Sequence, residues 1–322
     1  MKNHMRFISL MLMVIMTVSL VTGCSNTKSA TESNEPTVNA TTASAGTAEE
    51  TKEAAKYGPI LTKALETGTL TCALNAVEPP WQFHKVVNGK DEIFGFDKAI
   101  CAYVGDELTK KLGREVVVKF EDMSWDGVLS GIAAGKYDLA PGAAATEERK
   151  KNMDFSIPYH KSRQVIVINK DNKDDPMFST DKQLEGVQVG VLKGSSTAIT
   201  LSNHYSKCKL FELGSQNDVL LSVINKKCPA ANFNEKYAIL MCKANPELMI
   251  VNELTFELTD KEDAGSCICF PKGNEDFKAI LDEMVARIKS DGTFTKMEED
   301  ALNALDDADL LAQFKLLNKV SN

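Results

Sequence analysis

The sequence predicts an α/β fold with mainly parallel sheets and flanking helices, and three observations support this class. Short apolar runs of strand length alternate with segments whose apolar residues recur every three or four positions, as on the buried face of a helix. Glycines follow several of the helical segments, as expected where a helix ends in a left-handed residue. The composition, 43% hydrophobic and 25% charged residues, is typical of a soluble globular domain.

The N-terminus is predicted to be an export signal that does not belong to the fold. Lys2, Arg6 and the amino terminus are positive, residues 7–21 are short and mostly apolar, and VTGC at 21–24 resembles the cleavage box of a bacterial lipoprotein. A membrane-spanning helix needs about 20 apolar residues, more than this run offers. We therefore expect residues 1–23 to be removed and Cys24 to carry a lipid. An ordinary secreted protein with a chance cysteine is the alternative.

Residues 24–56 are predicted to form a disordered tether. From Ser25 to Lys56 the chain contains no Leu, Ile, Phe, Tyr or Trp. Such a segment cannot bury enough apolar surface to offset the entropy lost on ordering. As a flexible coil it would span on the order of 30 Å. Since the predicted anchor is a lipid, no transmembrane helix is expected in the mature chain.

The globular part opens with a predicted β-α-β-α-β unit, which implies parallel strands covered by helices. Its predicted strands and helices are 70–74, 97–112, 116–120, 124–134 and 137–140. Gly113 and Gly135 are expected to end the two helices. The second helix is predicted to bury Val128, Leu129, Ile132 and Ala133. Thr146 is expected to cap a following helical turn, with Glu147 and Glu148 near the positive end of its dipole.

A second set of elements follows. Its predicted strands are 164–169, 187–191, 248–251 and 266–270. The segment KGSST at 193–197 is expected to open a helix. A later helix is predicted at 275–290, with Gly292 at its end, and its apolar stripe consists of Phe277, Ile280, Leu281, Met284, Val285 and Ile288.

The cysteines are predicted to be mostly free, packed thiols. Their number apart from Cys24 is odd, their spacing is irregular, and a chain of this length needs no disulfide to fold. Export nevertheless favours oxidation. The sequence therefore leaves open a Cys208–Cys228 or a Cys228–Cys242 bridge.

Charge and histidine content argue against several kinds of partner. The net charge of −8 disfavours nucleic acid, whose binding requires a basic surface. His84, His160 and His204 are scattered and lack the spacing of metal ligands. We therefore expect neither a metal nor another cofactor.

Several short motifs, in matching order and spacing, resemble those of bacterial solute-binding proteins for polar amino acids. They are PPWQF at 79–83, GFD at 95–97, WDGVL at 125–129, GKYD at 135–138, TEERKK at 146–151, DFSIPY at 154–159 and SDGTF at 290–294. The resemblance covers residues 60–300. It implies the type II periplasmic-binding fold and a monomer that delivers a small-molecule ligand to an ABC permease.

The same resemblance implies a two-lobed clamp. Residues 57–162 and 264–322 would form lobe 1 and residues 163–263 lobe 2, each lobe a mainly parallel sheet with flanking helices. Hinge crossings are expected near 162–165 and 263–266. The ligand would lie in the cleft between the lobes, and hinge closure around it would signal occupancy to the permease.

Arg149 is the principal candidate for ligand binding. The carboxylate of an amino acid prefers a guanidinium and backbone N–H donors, whereas its ammonium prefers acidic or carbonyl oxygens. In the family that the motifs resemble, the arginine at this position binds the ligand's carboxylate. The alternatives are that Arg149 pairs with Glu147 or Glu148, or that it is solvated.

Two further segments could contact the ligand. Ser195 and Ser196 stand in a strand-to-helix turn whose N–H groups and hydroxyls suit the same carboxylate from the other lobe. A serine-rich helix cap without a ligand is the alternative. Trp125 matches a family aromatic that packs on the ligand, although plain core packing would also explain it.

Departures from the family pattern concern the other end of the ligand. The family usually has an acid where Asn75 stands, an aromatic where Glu78 stands, and a hydroxyl residue where Ala144 follows Gly142. Asn234 aligns with the acid that holds the ligand's ammonium. Either Glu78 or Glu235 could supply the missing charge, or the ligand is not an ordinary α-amino acid.

Three functions are compatible with these sequence features. The first is an exported solute-binding protein, lipid-anchored to the outer face of the cell membrane, that captures an amino acid or a related small carboxylate. The second is a ligand-sensing module, which usually carries a membrane helix or signalling domain. The third is an exported dehydratase of cyclohexadienyl type, with Glu78 or Glu235 as proton donor. We expect the first, and therefore no enzymatic activity.

Overall fold

The computed structural model describes residues 57–161, 163–256, 265–306, 308, 309 and 311. The predicted signal at 1–23, the tether at 24–56 and the lipid anchor Cys24 lie outside these residues. Parts of both predicted hinge crossings, Ser162 and residues 263–264, also lie outside them. Within the described part, none of the helices has the length and apolar character needed to cross a membrane.

Helices and strands alternate through most of the described residues. The helices are α1 (Pro59–Thr67), α2 (Phe96–Leu112), α3 (Trp125–Ala133), α4 (Ser196–His204), α5 (Gln216–Ile224), α6 (Glu235–Ala244), α7 (Glu275–Ser290) and α8 (Thr293–Ala304). The strands are β1 (Thr69–Leu74), β2 (Val77–Glu78), β3 (Gln82–Val87), β4 (Lys90–Phe94), β5 (Val117–Asp122), β6 (Ala140–Ala144), β7 (Met153–Phe155), β8 (Gln164–Asn169), β9 (Gln188–Leu192), β10 (Lys209–Leu213), β11 (Ala230–Asn234), β12 (Leu248–Phe256) and β13 (Ser266–Pro271). The α/β class predicted from the sequence is confirmed.

Three small sheets form around the first strands and the last one. β1 pairs in parallel with β5, and Cys72 of β1 also forms a parallel bridge with Leu139. β13 lies between β6 and β7 and is antiparallel to both. β2, β3 and β4 form an antiparallel sheet. Side chains of β1, α2 and α7, such as Leu70, Ile100 and Leu281, are fully buried in one apolar core.

A five-stranded sheet is built from the residues between the two predicted crossings. Its strand order is β10-β9-β11-β8-β12. β9 is parallel to β10 and β11, whereas β8 is antiparallel to β11 and β12. The predicted "mainly parallel" character is therefore wrong: among the described residues this sheet is mixed, two of the small sheets are antiparallel, and only the β1–β5 pair is wholly parallel. Strand β8 enters from the first crossing in the opposite direction, and β3 returns directly into β4 through a short turn.

Most predicted elements are confirmed close to their expected positions. The helix predicted at 275–290 is α7, and the predicted strands at 70–74 and 164–169 are β1 and β8. Gly113 and Gly135 have φ angles of 64° and 69°, as expected for the residues that end the two predicted helices.

Two local predictions are wrong in detail. The strand predicted at 137–140 begins at Ala140, and the residue before it makes only an isolated bridge. Ala133 is exposed and does not face inward. Gly131 is buried instead. It lies so close to Tyr137 that a Cβ at this position would be 2.5 Å from the tyrosine ring, which leaves room only for glycine.

The predicted turn after Thr146 is a short 3-10 helix at Arg149–Lys151. The Thr146 hydroxyl accepts a hydrogen bond from the N–H of Arg149 at 3.3 Å, so that Thr146 caps the turn. This cap places Arg149 directly after β6. The arginine side chain reaches back to the last residue of that strand, Ala144.

The described cysteines are free thiols, as predicted, and neither suggested bridge is present. Those that lie fully within the cores are Cys72, Cys101, Cys228, Cys267 and Cys269. There they behave as small apolar side chains. Burial raises the pKa of Cys269 to about 12 and that of Cys242 to about 11, which disfavours the reactive thiolate.

Candidate functional site

A cavity of about 90 Å³ lies between the small sheets and the five-stranded sheet. That volume is several times the ~10–15 Å³ that one water molecule requires. The sequence-predicted site residues in its lining are Asn75, Glu78, Trp125, Gly142, Ala144, Ser195, Ser196 and Asn234. They come from loops and strand ends far apart in the chain. The fold therefore brings every predicted ligand-binding residue except Arg149 together in the lining of one cavity.

Arg149 is not part of the lining but is bonded to Ala144, which is. It is 9% exposed. Its Nη1 donates to the carbonyl oxygen of Ala144 at 3.0 Å, and its Nη2 donates to that of Gly194 at 2.8 Å. Both acceptors are next to or part of the cavity lining. The guanidinium thus spans from the end of β6 to the turn that precedes α4.

The N-terminus of α4 faces the cavity beside Arg149. The hydroxyl of Ser195 accepts from the N–H of Ala198 at 3.2 Å and donates to the carbonyl oxygen of Leu192 at 2.6 Å. The hydroxyl therefore acts as the helix cap. The N–H groups of Ser196 and Thr197, in the first turn, have no acceptor within the helix. These N–H groups and the helix dipole favour an anion at this end of the cavity.

Trp125 stands at the same end. Its ring centre lies 5.7 Å from the guanidinium carbon of Arg149, which is within the range of a cation–π contact. Its indole Nε1 is buried and has no hydrogen-bond partner. An unpaired buried donor costs free energy, so this N–H is available to an acceptor in the cavity.

Glu78 is the acidic residue with the clearest access to the cavity. Desolvation raises the pKa of its carboxyl group to about 7. Among the described residues, none donates a hydrogen bond to this carboxylate or forms an ion pair with it. Glu235, the other sequence candidate, instead pairs with Arg163 at 3.0 Å and does not line the cavity. Of the two acids proposed from the sequence, only Glu78 reaches the site.

Asp97 is a second buried acid in the lining and was not singled out from the sequence. Tyr159 Oη donates to its Oδ1 at 2.8 Å and Gln82 Nε2 donates to its Oδ2 at 3.2 Å. The same tyrosine oxygen accepts from the N–H of Gly142 at 2.7 Å. Desolvation raises the pKa of Asp97 to about 7 in spite of the bond from Tyr159. This network fixes one wall of the cavity. The GFD motif at the start of α2 was the available signal.

The two asparagines of the site are partly committed to the protein itself. Asn75 Nδ2 donates to the carbonyl oxygen of Met123 at 2.7 Å. Asn234 Oδ1 accepts from the N–H of Lys236 at 3.0 Å and so caps α6. Neither side chain replaces the negative charge that the family pattern would place there.

Gln164 also lines the cavity and was missed as a candidate. It is the first residue of β8, it is 3% exposed, and its Oε1 has no hydrogen-bond partner. Only its position next to a predicted crossing could have drawn attention to it, because a single Gln at a strand start carries no specific signal.

A further contact joins helices α6 and α8 next to Trp81 of the cavity lining. Lys236 of α6 forms an ion pair with Glu298 of α8, and its Nζ lies 5.2 Å from the ring centre of Trp81. The ring of Trp81, which lines the cavity, lies 4.4 Å from that of His160. Burial and the nearby Lys236 lower the pKa of His160 to about 4, so this histidine is neutral at physiological pH.

Comparison with known families and proteins gives a consistent result. Residues 70–304 match the family model of the bacterial extracellular solute-binding proteins, family 3. The L-cystine-binding protein TcyA of Bacillus subtilis (strain 168) is 24% identical over 261 residues, which cover 79% of this chain and 89% of that protein. The arginine-binding extracellular protein ArtP of the same organism is 30% identical over 203 residues, which cover 60% and 73%.

A solved structure shares the fold over nearly its whole length. It is an amino acid ABC transporter substrate-binding protein, AbpA, from Streptococcus pneumoniae Canada MDR_19A, bound to L-arginine. It aligns with a TM-score of 0.66 at 29% sequence identity and covers 75% of this chain and 98% of its own.

Proposed function

Because the chain belongs to the bacterial extracellular solute-binding proteins of family 3, we infer that it is the amino-acid-binding component of an ABC transporter. It captures its ligand outside the cytoplasm and delivers it to the permease; it is not an enzyme. One observation supports this most directly. A single cavity is lined by a helix N-terminus and by an unpaired carboxylate, and the guanidinium of Arg149 donates to Ala144 in that lining.

The donor-rich end of the cavity receives the ligand's carboxylate. Arg149, the first-turn N–H groups of α4 and the indole N–H of Trp125 converge there. Nη2 of Arg149 donates to a neutral carbonyl oxygen. A hydrogen bond from the guanidinium to the charged carboxylate of the ligand is stronger than this one and therefore replaces it. The arginine turns from the wall toward the ligand.

The acceptor-rich end receives the ligand's ammonium. Glu78 supplies the negative charge that the asparagines at positions 75 and 234 lack. An α-amino acid therefore finds both of its charges matched. The relatives TcyA and ArtP are named for binding L-cystine and arginine. We accordingly place the ligand among the amino acids.

Closure around the ligand follows a two-lobed design. Residues 57–162 with 264–322 form one lobe, and residues 163–263 form the other. Contacts between Arg149 and Gly194 and between Lys236 and Glu298 run from one of these groups to the other. A ligand held by both lobes stabilises the closed form through its higher affinity for that form.

The N-terminal segment attaches the protein to the membrane. Cys24 carries a lipid after removal of residues 1–23, residues 24–56 form the tether, and the domain works as a monomer at the outer face of the membrane. Expression of the full chain with a Cys24→Ala variant tests this anchor. Wild type should partition with membranes, and the variant should be released.

A ligand screen tests the function. Purified protein is heated with each of the twenty amino acids and with L-cystine, and hits are titrated by calorimetry. At least one amino acid should raise the melting temperature and bind with micromolar or tighter affinity. A complete absence of binding across this panel would refute the proposal.

A further inference from the structure

We propose that Gln164 is a ligand-binding residue, and that its side-chain oxygen accepts a hydrogen bond from a protonated nitrogen of the amino acid. This inference rests on the proposed function and adds to it a residue that determines which ligands are accepted.

The position of Gln164 is set by the five-stranded sheet. Gln164 of β8 stands directly opposite Asn234 of β11 in the antiparallel register. Residues in that relation have their side chains on the same face of a sheet, about 4.5–5.5 Å apart. Both line the cavity. Two amide side chains therefore stand next to each other in the same wall.

The two amides differ in what their oxygens already bind. The oxygen of Asn234 caps α6 through the N–H of Lys236. The oxygen of Gln164 is buried and has no partner. A buried acceptor without a donor costs about 1–3 kcal/mol, so such a group in a cavity wall is expected to find its donor in the occupant.

The charges around the cavity indicate what kind of donor this is. Glu78 and Asp97 both lie in the same lining as Gln164, and the carboxylate of Glu78 accepts no hydrogen bond from a described residue. Together with Gln164 they give the lining of the cavity several acceptor oxygens and, from the two acids, negative charge. A protonated nitrogen supplies several N–H donors and a positive charge at once. An ammonium on the α-carbon and a cationic group on the ligand's side chain share this chemistry.

The test exchanges Gln164 for methionine, which is similar in size but accepts no strong hydrogen bond. Gln188→Met serves as the matched control, because Gln188 is exposed on strand β9 of the same sheet. The probe is the amino acid that binds wild type most tightly in the screen. Two analogues accompany it, one without the α-amino group and one with the side-chain nitrogen group replaced by hydrogen where the probe has one.

Gln164→Met should weaken binding of the probe about 10- to 100-fold, as expected for a lost hydrogen bond to a charged group. One analogue should bind Gln164→Met and wild type equally, and the nitrogen it lacks is then the partner of Gln164. The melting temperature of the ligand-free variant should equal or exceed that of wild type, because an unpaired polar group has been removed. Gln188→Met should bind like wild type.

Unchanged affinity for the probe in Gln164→Met would overturn the inference while leaving the proposed function intact. The same loss for the probe and for both analogues would also overturn it, because the effect would then not depend on a nitrogen. Absence of any binding by wild type would refute the proposed function and this inference with it.

Discussion

The guanidinium of Arg149 donates from Nη2 to the carbonyl oxygen of Gly194, 2.8 Å away. This bond joins the turn after β6 to the turn before α4, two segments that are far apart in the chain. It holds a positive charge next to the N-terminus of a helix, and both favour an anion. The bond therefore marks where the ligand's carboxylate is expected.

Replacing Arg149 should reduce ligand affinity strongly. Arg149→Met removes a charged partner from a desolvated site, which should cost about 2–5 kcal/mol of binding free energy. Calorimetric titration with the amino acid found in the screen measures it. Lys150→Met is the matched control, since Lys150 stands in the same turn but is exposed and pairs with Glu147 at 2.8 Å. Equal affinities of the two variants would contradict the assignment.

Ligand affinity should rise with pH between about 6 and 8. The pKa of Glu78 is raised to about 7, so a growing fraction of the carboxylate is ionised across this range. A ligand ammonium binds the ionised form, and the gain approaches tenfold per pH unit below the pKa. Two other titratable groups interact with Glu78. The pKa of Asp97 is also raised to about 7, so that Asp97 titrates in the same range, whereas the pKa of Tyr237 is raised above its ordinary value and Tyr237 stays neutral. Titrations at several pH values measure the slope.

The free energy of unfolding of the ligand-free protein should fall as pH rises, the opposite of the trend in ligand affinity. A carboxyl group whose pKa is higher in the folded than in the unfolded state stabilises the fold fully at pH values below its pKa in the unfolded state. This contribution is lost as the pH rises through its pKa in the folded state. For Glu78 the window runs from about 4.5 to about 7. Glu78→Gln should reduce the pH dependence both of ligand affinity and of the free energy of unfolding. A slope of ligand affinity that persists in this variant would show that another group is responsible.

Gly95 should tolerate no side chain. Its φ is 116°, and a Cβ there would lie 2.3 Å from the carbonyl oxygen of Trp81. Gly95→Ala should therefore lower the free energy of unfolding by about 3 kcal/mol or more. Gly89→Ala is the control, because Gly89 has a φ of 77° with open space around it. It should cost about 1 kcal/mol in urea unfolding. Equal losses of unfolding free energy in the two variants would show that the positive φ angle, and not the contact with Trp81, determines the cost of the substitution.

The thiols should resist alkylation in the folded protein. Cys72, Cys101, Cys228, Cys267 and Cys269 are buried, and the pKa of several is raised. Iodoacetamide should label Cys208 and Cys242 slowly and the buried set only after unfolding, as read by mass spectrometry of peptides. A buried thiol that resists labelling even in denaturant would indicate a disulfide.

The sequence predicted the elements whose signals are local. The apolar stripe of 275–290 and the glycine at 113 led to correct helices, because periodicity and a left-handed end depend only on neighbouring residues. Strands β8, β12 and β13 were predicted, but their antiparallel pairing was not, since strand direction depends on which distant segments pair. Strand β11 and helices α5 and α6 were not identified at all.

The site was predicted from motifs, and its internal contacts were not. Motif matching led to Arg149, and the chemistry of a strand-to-helix turn led to Ser195; Arg149 donates to Gly194, which directly precedes Ser195 in that turn. The choice between Glu78 and Glu235 could not be made from the sequence, because it depends on the ion pair of Glu235 with Arg163. The unpaired oxygen of Gln164 is visible only once the sheet is assembled.

A crystal structure of the protein with its bound amino acid would test the central claim most directly. The distance to measure is that between the ligand's carboxylate oxygens and the guanidinium nitrogens of Arg149. We predict at least one such distance of about 2.7–2.9 Å, typical of a charge-assisted hydrogen bond. A ligand whose carboxylate lies at another place, with Arg149 still bound to Gly194 and out of reach, would contradict the account.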